Sequence, residues 1–156
     1  MAYKNGALCL VVRDSKILMV KHRRGTNEYY TLPGGGIEEG ETPEQAAIRE
    51  LREECSVNGR IIKKLCESLY APDNNATVYI FQVEIEDDEE PVLNLNLSDE
   101  EKQVLIEVRW MELREICERD RAFLWAAGLA AVSQFWDELL SWSDDISYPK
   151  KRDEYL

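Results

Sequence analysis

The 156-residue sequence contains one histidine, His22. Ser-His or Cys-His catalysis would have to rest on that residue alone, and no G-x-S-x-G elbow is present to support it. The four cysteines, Cys9, Cys55, Cys66 and Cys117, are widely spaced and form no Cys-x-x-Cys pair. That spacing argues against a thiolate zinc site and makes a disulfide framework unnecessary. The cysteines read instead as small buried apolar residues. Long apolar runs are also missing, and the first run, Ala7 to Val12, is too short for a signal segment or a membrane span. The default compartment is therefore the cytoplasm, with no membrane partner. Basic residues are few: 19 Lys and Arg stand against 31 Asp and Glu, a formal net charge of −12. Nucleic-acid binding draws heavily on Lys and Arg contacts to phosphate, so no nucleic-acid partner is expected. A small phosphate substrate remains compatible with this charge if a divalent cation reverses the local field.

What is present fits one domain spanning 1–156, long enough to bury roughly 70% of the surface its unfolded chain exposes. Ala7 to Val12 and Ile17 to Val20 flank Arg13-Asp14-Ser15-Lys16 and read as a hairpin. The stretch HRRGTNEYYTLPGGG reads as a polar loop. Ile61 to Ser68, Thr77 to Ile85 and Val104 to Trp110 are strand candidates, and Asp87 to Pro91 is a solvated turn. Asp120 to Trp142 is the longest amphipathic helix candidate, within a helical extension at about 118–143 that a polar tail, 144–156, follows. Phe123, Leu124, Ala127, Ala131, Phe135 and Leu139 recur there at helical spacing. Such a seam either closes one face of the domain within the subunit or builds a two-fold homodimer. Strands, helix, strands, helix is an order that suits an α+β, mixed-sheet layered fold.

Residues 34 to 54, GGGIEEGETPEQAAIRELREE, crowd seven carboxylates into seventeen positions behind three glycines. Thr42 is a good N-cap, Pro43 takes the first helical position, and Gln45 completes a capping box. At 100° per residue Glu44, Ile48, Leu51 and Cys55 share one side, while Glu50, Glu53 and Glu54 fall within a 100° arc on another. The glycines do not match a Rossmann fingerprint, because Gly40 comes one position too late after Gly34 and Gly36. They also fail as a P-loop, since Glu41 stands where the lysine belongs. Three carboxylates at i, i+3 and i+4 beside a glycine loop form instead a hard-oxygen set of the kind Mg²⁺ or Mn²⁺ prefers.

Gly35, Glu41 and Arg49-Glu50-Leu51-Arg52-Glu53-Glu54-Cys55-Ser56-Val57, at these spacings, resemble the signature of the Nudix (MutT-like) hydrolases, with Ser56 where that family has glycine. Leu32-Pro33-Gly34-Gly35-Gly36 and Val108-Arg109-Trp110 extend the likeness over about residues 5 to 115. The resemblance implies an αβα sandwich around a mixed β-sheet and metal-dependent hydrolysis of a nucleoside diphosphate linked to another group. It places Glu50, Glu53, Glu54 and the Gly34 carbonyl as ligands of Mg²⁺ or Mn²⁺, and Glu41 with Arg49 as an ion pair bracing loop to helix. The general base is Glu53 or, on the polar stretch before Val104, Glu100 or Glu101. A left-handed Ser56 would cost about 1 kcal/mol, unless Asn58-Gly59 carries the turn instead.

The resemblance implies a small nucleotide as substrate. Arg23 and Arg24 are candidates for its phosphates, and Tyr30 and Tyr70 for stacking on its base. Pro72, fifteen residues after Val57, resembles the subgroup acting on ADP-ribose and nucleotide sugars. A house-cleaning nucleoside triphosphate pyrophosphatase of MutT type is the alternative. A non-catalytic nucleotide-binding module would be expected to lack a ligand carboxylate, and all three are present.

Overall fold

A computed structural model describes residues 4–71, 75–94 and 104–126, together with Gly128, Leu129 and Val132. Strand β1, Gly6–Arg13, turns back into β2, Lys16–Arg24, through Asp14 and Ser15 at φ 50° and 60°. Two successive left-handed residues give a two-residue hairpin whose twist matches its strands. The pairing sets Val12 against Ile17 and Arg13 against Lys16.

The stretch expected to be a polar loop is instead largely strand. β2 continues to Arg24, turns at Gly25 (φ 62°), and returns as β3, Asn27–Thr31; β4, Gly34–Gly36, then pairs antiparallel with β1. Cross-strand chemistry replaces apolar alternation here. Lys21 and Arg23 both reach Glu28, at 3.0 and 2.7 Å, and the His22 ring stacks on Tyr29 with centroids 5.1 Å apart. Such cross-strand pairs are what holds the register of this ladder.

After helix α1, Pro43–Cys55, the chain forms β5, Arg60–Ala71, and β6, Ala76–Glu84. It then returns as β7, Leu105–Glu112, and, after a 3₁₀ turn at Leu113–Glu115, as α2, Glu118–Ala126. The sheet runs β3-β2-β1-β6-β5, with β4 added to β1 and β7 to β2. It is mixed, because β1 and β6 are parallel, from Gly6 opposite Val78 to Val11 opposite Val83.

Period-two alternation in β1 explains the layers. Ala7, Cys9 and Val11 point to one face, where they join Leu18, Val20, Phe81 and Val83 under Ala46, Ala47, Leu51 and Cys55 of α1. Leu10 points to the other, where Ile17, Met19, Ile80 and Met111 meet Leu124 of α2. With a helix on each face, the α+β mixed-sheet expectation holds. Each fully buried Val, Leu, Ile or Phe side chain supplies about 1.5–3 kcal/mol.

The C-terminal helix differs from its expectation. It starts at Glu118, ends at Ala126, and cannot run unbroken to Trp142, because Gly128 takes φ 104°. A Cβ at Gly128 would stand 3.0 Å from Leu65 Cβ, so this glycine serves a turn pressed onto β5. Leu124, Leu129 and Val132 are buried within the subunit; Ala127, Ala131, Phe135, Leu139 and the polar tail lie outside the described residues. Of the cysteines, Cys9 and Cys55 are buried, whereas Cys66 is half-buried and Cys117 exposed.

Candidate active site

Helix α1 begins as its sequence dictates. The Thr42 hydroxyl accepts from Gln45 N–H at 3.1 Å while the Gln45 side chain accepts from Thr42 N–H at 3.0 Å, so two otherwise orphaned donors are satisfied. At the other end Ser56 N–H donates to Arg52 O. Val92 and Asn94 N–H donate to Cys55 and Glu54 O, at 3.0 and 3.2 Å. The chain after β6 thus pins the end of the helix that carries the glutamates.

Arg49 organises the acidic face through five hydrogen bonds. Its Nε and Nη2 donate to both oxygens of Glu41 at 2.7 and 3.0 Å, and Nη2 also donates to Gly36 O at 2.9 Å. Nη1 donates to Glu50 Oε1 and Glu53 Oε2, each at 3.1 Å. The bidentate pair with Arg49 holds the Glu41 carboxyl below the usual carboxylate range. Gly36 O is consequently already engaged by a cation.

Glu54 stands beside this network, next to Glu50, and is not among the carboxylates that Arg49 reaches. It is 5% exposed, the one buried charged side chain among the described residues. Its Oε1 accepts from Gly34 N–H at 3.1 Å, while Oε2 is buried with no hydrogen-bond partner. Burial first, and then the neighbouring Glu50 carboxylate, push its pKa well above the ordinary value; the Gly34 N–H acts in the opposite direction but does not prevail. A buried carboxylate oxygen without a donor is costly unless something positive meets it. Mg²⁺ or Mn²⁺ suits that demand and the all-oxygen donor set. Among the described residues, however, no three acidic, His or Cys side chains already converge as a cage. Two of the three glutamates spend an oxygen on Arg49.

The glycines explain how backbone comes so close. A Cβ on Gly35 would stand 2.5 Å from Glu50 Oε1, whereas one on Gly34 would strike Ala7 O at 2.3 Å and one on Gly36 would meet the Lys4 stem at 3.3 Å. Successive positions of β4 face opposite ways, so the carboxylates of α1 lie behind Gly35 and a cleft lies on the other side. That cleft, about 920 Å³, is lined by β4 and by residues that include Lys4, Leu8, His22, Tyr29, Tyr30, Asp120 and Phe123. Glu50, Glu53 and Glu54 are not in its wall and adjoin it through the backbone of β4.

Of the substrate candidates whose side chains are described, only Tyr30 is brought to the cleft, with its hydroxyl donating to Glu107 Oε2 at 3.1 Å. Arg23 and Arg24 are not. Arg23 is tied to Glu28, and Arg24 Nε donates to Tyr29 OH at 3.0 Å, because both extend the exposed end of β2. The side chain of Tyr70, and all of Pro72, Glu100 and Glu101, fall outside the described residues. Sequence reasoning missed Lys4, Asp120 and Phe123: Lys4 is far in sequence from the other two, and the fold brings all three to the wall of one cleft.

A family model described as the NUDIX domain matches residues 2–131. The chain belongs to this family. Among curated relatives, the Nudix chain is 47% identical over 55 residues to an NAD-capped RNA hydrolase NudC of Edwardsiella ictaluri, covering 33% of this chain and 21% of that one. It is 31% identical over 75 residues to an ADP-ribose pyrophosphatase of Methanocaldococcus jannaschii, covering 47% and 44%. The chain spans between about one fifth and one half of the length of the curated relatives it matches. A NUDIX hydrolase from Nitrosomonas europaea superposes with TM-score 0.59 at 25% identity, over 76% of this chain and 64% of that one. A NUDIX-family hydrolase from Clostridium perfringens shares the fold at 17% identity, TM-score 0.58, over 81% and 97%. Ser56, the departure from the Nudix pattern, adopts φ 59°, ψ 27° and closes α1 itself. The turn is not passed on to Asn58-Gly59; Gly59 has another reason to be glycine, since a Cβ there would meet Val83 Cγ1 at 2.4 Å.

Proposed function

We propose that this Nudix chain is a Mg²⁺- or Mn²⁺-dependent pyrophosphohydrolase. Its substrate on this reading is a nucleoside diphosphate linked to another group, of the ADP-ribose or nucleotide-sugar type. The observation that carries the reading is Glu54: a buried carboxylate with an unpartnered oxygen, beside Glu50 and under Gly34, one backbone thickness from a cleft. Glu50, Glu53, Glu54 and the Gly34 carbonyl would hold the cation. When bound, it neutralises pyrophosphate oxygens and lowers the pKa of water.

The chain's own residues do the rest. Arg49 holds Glu50 and Glu53 in place and, with Glu41, braces the helix against Gly36. Glu53, the most exposed of the three at 46%, would take the proton of the attacking water, with Glu100 or Glu101 as the alternative base. Water oxygen bonds to phosphorus, the bridging P–O bond breaks, and two phosphate monoesters leave. Tyr30 lines the nucleoside end of a cleft whose volume lies within the range that holds a small ligand.

The MutT-type alternative draws on a relative named a putative 8-oxo-dGTP diphosphatase of Bacillus subtilis, 33% identical over 63 residues. One panel decides among the readings: ADP-ribose, a UDP-sugar, 8-oxo-dGTP and NAD-capped RNA, each with Mg²⁺, Mn²⁺ or chelator. Metal-dependent release of AMP or UMP, fastest on the first two, is expected. Faster pyrophosphate release from 8-oxo-dGTP establishes the alternative, and no turnover of any member leaves a binding module.

A further inference from the structure

We infer that Lys4 is the side chain that holds the phosphates of the bound nucleotide, in the role the sequence gives to Arg23 and Arg24. The inference rests on the pyrophosphohydrolase reading above. It starts from a charge problem. A pyrophosphate must approach a chain of net charge −12, at a helix where Arg49 is committed to Glu41, Glu50 and Glu53. Arg23 and Lys21 are committed to Glu28, and Arg24 to the Tyr29 hydroxyl. Of the described residues lining the cleft, Lys4 alone is a lysine or arginine. Among the described residues it forms no ion pair or hydrogen bond that would occupy its ammonium group.

Its position is built. Asn5 O accepts from Ile37 N–H at 2.8 Å, and Asn5 Oδ1 accepts from Thr77 N–H at 2.9 Å, which ties the backbone next to Lys4 to the ends of both β4 and β6. The Lys4 stem lies along Gly36, where an added Cβ would come within 3.3 Å of its Cδ and 3.7 Å of its Cβ. Any larger residue at 36 would push the stem away. Among the described residues β4 pairs only with β1, so none of them covers its other edge as sheet. A nucleotide with its base in the cleft reaches the carboxylates of α1 by passing β4, and Lys4 stands on that passage. An ammonium on a flexible stem suits a phosphate chain, since it meets the anion as a point charge with three rotatable donors.

The test uses calorimetric binding of ADP with Mg²⁺, and steady-state kinetics on the best substrate of the panel. Wild type is compared with Lys4→Met, Lys4→Arg and the double variant Arg23→Ala/Arg24→Ala. Lys4→Met is expected to weaken ADP binding and raise KM about tenfold or more, as loss of a charge-assisted hydrogen bond does, with kcat within about threefold. Lys4→Arg should recover most of the loss, and the double variant should match wild type. The assignment is overturned if Lys4→Met binds ADP within twofold of wild type, if it lowers kcat without changing KM, or if the double variant loses as much affinity. A wild type that neither binds ADP nor turns over any nucleotide overturns the pyrophosphohydrolase reading instead, and Lys4 falls with it.

Discussion

Replacing Gly35 by alanine separates the role of Glu50 from the stability of the fold. The new methyl carbon would stand 2.5 Å from Glu50 Oε1 and 2.7 Å from its Cδ, where ordinary contact begins at 3.4 Å. One of the two must yield by about 1 Å. Gly35 is held in the β1–β4 ladder opposite Ala7, whereas Glu50 is the end of a flexible side chain, so the carboxylate moves. It then loses its 3.1 Å hydrogen bond from Arg49. That bond is partly solvated, and its loss should cost about 1 kcal/mol of stability. A displacement of about 1 Å at a group that positions reactants costs on the order of a hundredfold in rate. Thermal melting and metal-dependent turnover, measured on the same preparation, should show Gly35→Ala folded but nearly inactive. Gly34→Ala is the control: its Cβ would meet backbone, Ala7 O at 2.3 Å and Leu8 Cα at 2.7 Å, and should unfold at markedly lower temperature. Activity within twofold of wild type in Gly35→Ala would refute the placement of Glu50 at the reacting centre.

Two further outcomes follow from α1. Ser56→Gly relieves a left-handed non-glycine residue at φ 59° and should stabilise by about 0.5–1 kcal/mol, a rise of a few degrees in Tm with unchanged activity; a lower Tm would show that the serine side chain supports the cap. Glu54 has a raised folded-state pKa, so the folded chain holds that proton more tightly than the unfolded one. Metal-free stability is then greatest below the ordinary carboxylate range and falls as pH rises from there to the folded pKa of Glu54. Denaturant titrations in chelator across that window should show the fall in wild type and a flatter profile in Glu54→Gln; equal slopes would contradict the burial argument.

The parts that could be read from sequence are those whose signal is local. Thr42, Pro43 and Gln45 specify the start of α1, because capping involves neighbours three residues apart. The alternation in β1 and β2 specified a hairpin, and its two layers follow from the same period. β4 was not legible: three glycines carry no side-chain period, and their strand exists only because Leu8, Ala7 and Gly6 lie opposite. β3 was hidden because Glu28 and Tyr29 pair with Arg23 and His22 rather than alternating with apolar residues. The burial of Glu54 was also hidden, since a helical wheel places its side chain on an arc but does not say that Gly34 covers it. Lys4 has no motif around it, and its place depends on hydrogen bonds that Asn5 accepts from the Ile37 and Thr77 N–H groups, across up to 72 residues.

Glu54 is tested most directly by the Mg²⁺-dependent turnover of the best panel substrate by Glu54→Gln. The substitution removes charge from a buried carboxylate without changing its shape, while an amide is a poor ligand for a hard cation. Turnover should fall by at least about a hundredfold in a protein that still melts cooperatively; near wild-type turnover would show that the buried carboxylate does not hold the metal.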